Sequence, residues 1–144
     1  MRFEQTRAIL QHLVPDYHRK VSDYYQAMAD GEVSPRVRLM LDYLIDHEQH
    51  RALALGEYCR DTAHHVLEHW FKGVEISFPE ARTDILGEDA RTDLDQLIKA
   101  AVTYKKNLIF YFGHLLEHCP EQELLYLFQT LKTQEEKAMK RMIR

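Results

Sequence analysis

Apolar residues recur along this chain with the period of an α-helix, and three stripes stand out. Leu41, Leu44, Leu55, Cys59, Thr62 and Val66 share one face with Glu48 in its middle. Leu94, Leu97, Ala101, Leu108, Phe112, Leu115 and Cys119 form a second, which includes Tyr104. Leu124, Leu127, Phe128, Leu131, Ala138 and Met142 form a third, which includes Glu135. Positions three and four apart lie on one side of a helix, so each stripe predicts a helix with one face buried. The punctuation between stripes agrees. Asp30-Gly31 reads as a helix stop, with Gly31 able to take the left-handed cap position. Ser34-Pro35 reads as an N-cap followed by proline at the first helical position. Cys119-Pro120 starts another helix, with Glu121 and Glu123 in a first turn whose dipole favours negative charge.

Four helices are expected, over about 5–30, 35–69, 92–118 and 120–143, with Pro15 kinking or splitting the first. The one long connection, about 70–91, holds Gly73, Pro79 and Gly87, and Val74–Phe78 alternates like a short extended piece. A short, long, short order of connections predicts an all-α chain: a single four-helix bundle spanning 1–144, with one crossover between helices 2 and 3, as in ferritin-like folds.

Composition narrows the function. The 144 residues are 45% hydrophobic and 29% charged, with few glycines (5) and prolines (4), which is globular rather than disordered. A net charge of −4 gives no basic field for nucleic acid or an anionic membrane. The start lacks an apolar signal core, no apolar run reaches spanning length, and Cys59 and Cys119 form no disulfide scaffold. The expectation is a cytoplasmic protein without nucleic-acid or membrane partners. Fifteen aromatic residues, eight of them tyrosines, are more than one bundle core holds comfortably. Trp70-Phe71 with Val74, Ile76 and Phe78 adds an apolar segment that either packs along its own bundle or forms a homodimer face.

The run from Leu94 to Phe110-Tyr111, and the later Leu127-Phe128, Leu131, Glu135 and Met139, resemble the rubrerythrin branch of the ferritin-like superfamily. There, one helix carries a Glu about two turns before a Phe-Tyr pair, and the next carries Leu-Phe, Leu and then Glu-x-x-His. The first half fits the template more loosely, with Tyr24-Tyr25 for the aromatic pair and Met40-Leu41, Leu44 and Glu48 for the helix after it. The chain thus resembles two related helix hairpins, offset by about 86 residues between Tyr24 and Phe110.

The resemblance implies a di-iron or di-manganese centre built from a Glu on two helices and a Glu-x-x-His on the other two. Carried over, the first-helix Glu falls on His18, the second-helix pair on Glu48 and Arg51, the third-helix Glu on Tyr104, and the fourth-helix pair on Glu135 and Ala138. Two of the six ligands are retained. Arg51 is a permanent cation with no lone pair to give. The expectation is therefore a lost metal site with no cofactor, and Arg51 forked between Glu48 and Glu135, with Tyr104 and His18 completing the hydrogen bonds. The alternatives are carboxylates that reach water at the bundle seam, and an altered iron or manganese centre from His18, Glu48, Tyr104 and Glu135. His65/His69 and His114/His118 are spaced four apart and could each chelate from a helix face. A hemerythrin-like site lacks its His-x-x-x-Glu here, because Arg51 and Ala54 stand four residues after His47 and His50. The favoured function is a non-catalytic structural or protein-interaction module, homodimeric or bound to another protein. The competing one is a metal-binding oxidoreductase or metal-handling protein.

Overall fold

The computed structural model describes residues 4–72 and 77–143. Among the described residues the protein is all-α apart from one two-residue pairing. In order the elements are β1 (Glu4–Gln5), α1 (Thr6–Ala8), a π-helical turn (Ile9–Leu13), α2 (Val14–Ala29), α3 (Pro35–Asp61), α4 (His64–Leu67), β2 (Trp70–Phe71), two 3₁₀ turns (Thr83–Ile85 and Glu88–Arg91), α5 (Leu94–Leu116) and α6 (Gln122–Ile143). The four long helices pack chiefly as two hairpins, α2 on α3 and α5 on α6, and α3 also meets α5. One contiguous apolar cluster draws on all four, including Val21, Leu44, Leu108 and Phe128. No described helix is long and apolar enough to cross a membrane.

Pro15 does not break the first helix. Backbone stays helical from Thr6 to Ala29, and the turn just before the proline is π-helical, with Val14 N–H donating to Ile9 O. A π turn is a common way to absorb a lost i→i−4 bond. The second predicted helix ends earlier than its stripe implies. Thr62 is extended (φ −85°, ψ 137°), its hydroxyl is bonded to Tyr58 O, and α4 resumes only at His64. Gly31 is not in the left-handed region. It matters instead for close approach, because a Cβ there would lie 2.5 Å from Arg91 Nη1, which donates to Met28 O at 3.1 Å. The start of α5 is fixed by Asp93, whose carboxylate accepts from Asp95 N and Gln96 N at 3.0 and 3.4 Å.

The long connection lies along its own helices. β2 pairs antiparallel with β1, Glu4 opposite Phe71 and Gln5 opposite Trp70. Phe71 is buried against Phe128, with ring centroids 5.7 Å apart. Phe78 packs edge-on against Tyr17 and Tyr111. Tyr24 Oη donates to Ala81 O and Tyr104 Oη to Arg82 O, at 2.8 and 2.7 Å. Most of the expected extended piece Val74–Phe78 lies outside the described residues. The tyrosines divide: Tyr17, Tyr25, Tyr104 and Tyr111 are buried, whereas Tyr43 and Tyr126 are exposed.

Candidate functional site, a buried ion cluster

Each long helix sends one ionisable side chain into the centre: His18 from α2, Glu48 from α3, Lys105 from α5 and Glu135 from α6. None is more than 2% exposed. Lys105 Nζ donates to Glu135 Oε2 at 2.8 Å and lies 3.0 Å from Glu48 Oε1. His18 bridges the same carboxylates from the other side. Its Nδ1 donates to Glu48 Oε2, and its Nε2 lies 3.3 Å from Glu135 Oε1, off-axis for a full hydrogen bond. The two carboxylates therefore sit between two groups that can each carry a positive charge.

The electrostatics follow from this geometry. Burial alone would raise Glu48, but Lys105 and then His18 outweigh it and hold its carboxyl down to about 2. Glu135 is held well below the usual carboxylate range against the same burial effect, by Lys105, His18 and Arg51. Burial pushes His18 down, and the two carboxylates overcome that and raise it. Lys105 is raised by the same competition. His47, beside Glu48 in the chain, behaves oppositely. Its burial and the nearby Lys105 charge push it down to about 4, and its Nε2 is buried without a hydrogen-bond partner.

The cation between the carboxylates is not the expected one. Arg51 reaches Glu135 alone, through Nε at a long 3.4 Å, from a partly exposed position. Tyr104 is outside the cluster altogether. Its hydroxyl turns to Arg82 O in the crossover, and its carbonyl accepts from Tyr17 Oη at 2.7 Å. Neighbouring helical residues point about 100° apart, so when Tyr104 faces the crossover, Lys105 faces the centre. A signal for Lys105 was present. Glu48 and Glu135 are 87 positions apart, and Lys105 stands 87 positions after His18, whereas the aromatic pairs give 86. The carboxylate spacing is the one that matches the spatial arrangement.

The metal pair implied by the resemblance does not fit these residues. An ammonium takes the place between the carboxylates where an ion would sit, and both ring nitrogens of His18 face carboxylates, although a ligating imidazole must be neutral. The spaced histidine pairs do not share helix faces. His65 and His114 lie in α4 and α5, but those helices end at Leu67 and Leu116, before His69 and His118. His65 Nε2 lies 3.5 Å from both Glu121 and Glu123, while His69 packs on the Phe71 ring. Cys59 is buried in the core. The Cys119 thiol donates to Leu115 O, and burial pushes it up to about 11, away from nucleophilic character. No family model matches the chain, and no curated protein or solved structure matches it either.

Removing Lys105 leaves two buried carboxylates facing each other. Lys105→Met is expected to lower the unfolding free energy by about 3–5 kcal/mol in urea denaturation. Arg51→Ala is expected to cost only about 1 kcal/mol, because its contact is long and Glu135 keeps the closer Lys105. The reverse ranking would show that Arg51 is the principal counter-charge. The pH dependence has a definite shape. Glu48 and Glu135 are depressed, so their contribution is complete above the usual 4.5 and is lost as pH falls toward 2. The lowered His47 adds a loss between 6.5 and about 4. The raised His18 contributes fully below 6.5, and that contribution is lost as pH rises through its folded value. Thermal unfolding across pH 3–9 is therefore expected to show maximal Tm near pH 6.5, and His18→Gln to flatten the alkaline side. A Tm constant from pH 6 to 3 would contradict this account.

Proposed function

We propose that the chain is a rubrerythrin-like, ferritin-like four-helix bundle that works without a metal centre, as a structural or protein-interaction module, homodimeric in its simplest form. The observation that carries this reading is the Lys105 ammonium 3.0 and 2.8 Å from the two carboxylates. It supplies, from within the chain, the positive charge that a pair of buried carboxylates needs. Lys105 and His18 are also raised and sealed from water, so neither offers a free base or nucleophile to a substrate. The interaction role is supported by large apolar side chains at the surface. Leu39 and Leu53 are 73% and 72% exposed and, with Tyr43, lie on one outward stripe of α3.

Two measurements test the proposal. The Tm of the wild type is expected to be unchanged by excess Fe(II), Mn(II) or Zn(II), because on this reading the Lys105 ammonium already holds the place between the carboxylates, and only a ligand that prefers the folded state raises Tm. Lys105→Glu puts a carboxylate at the third-helix position and is expected to destabilise the apo protein and make its Tm rise with added Mn(II). About two ions bound per wild-type chain, lost in Glu48→Ala, would overturn the metal-free reading and restore the oxidoreductase alternative. Light scattering is expected to give twice the chain mass of 17.1 kDa. The double substitution Leu39→Asp with Leu53→Asp is expected to return it to one chain, and a wild-type monomer would remove the homodimer from the proposal.

A further inference from the structure

On the outside of the α2–α3 hairpin, away from the ion cluster, a hollow of about 450 Å³ lies between the π-helical turn, α3 and α4. Its floor includes Leu10 and Leu67, both buried, which lie beneath it. Its rim carries three arginines, Arg7, Arg19 and Arg60, beside His64, and no Asp or Glu lines it among the described residues. Two of these arginines have a carboxylate of their own, Arg7 with Glu68 at 2.6 Å and Arg19 with Asp16 at 2.8 Å. A guanidinium has five N–H donors, so one such contact leaves others to give. Arg60 has no hydrogen bond or ion pair among the described residues, although the chain as a whole carries more acidic than basic groups.

A second feature of the same wall points to an occupant. Gly56 lines the hollow from the last third of the 27-residue α3, still inside the helix, where glycine is a worse helix former than alanine. No packing contact requires it, because a Cβ built there meets nothing within 4 Å. The structural effect of this glycine is to keep the hollow open. The opposite wall is formed by the π-helical turn carrying Leu10 and Gln11, a local geometry often found where a helix borders a functional site.

We infer that this hollow is a binding site for a small amphiphilic anion, with a carboxylate or phosphate head held by the arginines and a short hydrocarbon body on the Leu10 and Leu67 floor. Guanidinium groups suit such heads because their N–H fork matches two oxygens at once, and the hydrocarbon body of the ligand leaves water by lying in the hollow. Nothing in this inference depends on whether the central cluster holds a metal.

The test is an NMR titration of the full-length protein with octyl phosphate and octanoate, alongside inorganic phosphate, octanol and an octylammonium salt. The alkyl anions are expected to shift the amide signals of Gly56 and Thr62 saturably, with inorganic phosphate weaker and the alcohol and ammonium inert. Arg60→Ala is expected to weaken binding about tenfold, the loss of one charge-assisted contact. Gly56→Leu is expected to abolish it while raising Tm, because leucine is the better helix former and its Cβ meets no neighbour. That gain in Tm separates a blocked site from an unfolded chain. Binding of the ammonium as tight as that of the anions would overturn the inference. So would no saturable binding of either alkyl anion, or full binding retained in both variants.

Discussion

Four charged or chargeable side chains inside an apolar core are the constraint around which this protein is organised. A buried carboxylate left alone costs several kcal/mol, and so does a buried ammonium. His18, Glu48, Lys105 and Glu135 are acceptable only together, and each comes from a different long helix. A slide of one helix by a single residue would rotate its charged group by about 100° and strand the other three. Apolar side chains tolerate such slips much better, because burial by area has no direction. The cluster thus sets the register of α2, α3, α5 and α6 more sharply than the leucines around it.

The same arrangement decides the chemistry of the centre. Two carboxylates pointing at one place are a natural seat for hard cations, and here that place is filled by a lysine from α5. Lys105 is tied to its own backbone, so the compensating charge cannot dissociate and needs no supply from solution. The surroundings are consistent with a closed interior. The crossover is held over the helices by Tyr24 and Tyr104, whose hydroxyls donate to Ala81 O and Arg82 O, and by Phe78 between Tyr17 and Tyr111. The charged centre is itself buried, which strengthens its ion pairs. The open, arginine-rimmed hollow lies elsewhere, on the outer side of the first hairpin.

Much of this was legible along the chain because it rests on local rules. Ser34-Pro35 marks a helix start, and α3 begins there. Glu48 and Glu135 stand inside apolar stripes, so their burial follows from the helical period. Other features were not local. The end of α3 at Asp61 depends on an extended Thr62 within an unbroken apolar stripe. The histidine pairs looked chelating only while their helices were taken to continue past Leu67 and Leu116. Gly31 looked like a left-handed cap, but its part is to admit the Arg91 side chain from sixty residues away.

That the chain is helical, roughly where its long helices lie, and that Glu48 and Glu135 stand within apolar stripes could be read along the chain, because period and caps act over a few residues. Which cation meets those glutamates depends on the packing of the helices. Arg51 on α3 reaches only Glu135, and the choice between Tyr104 and Lys105 turned on the rotation of α5 about its axis. That rotation is set by contacts from other elements: the crossover carbonyl at Arg82 and the Tyr17 hydroxyl take Tyr104, and Lys105 is left facing the carboxylates. A one-residue difference along a helix is small in sequence and about 100° in space, which is why this assignment required the packed fold.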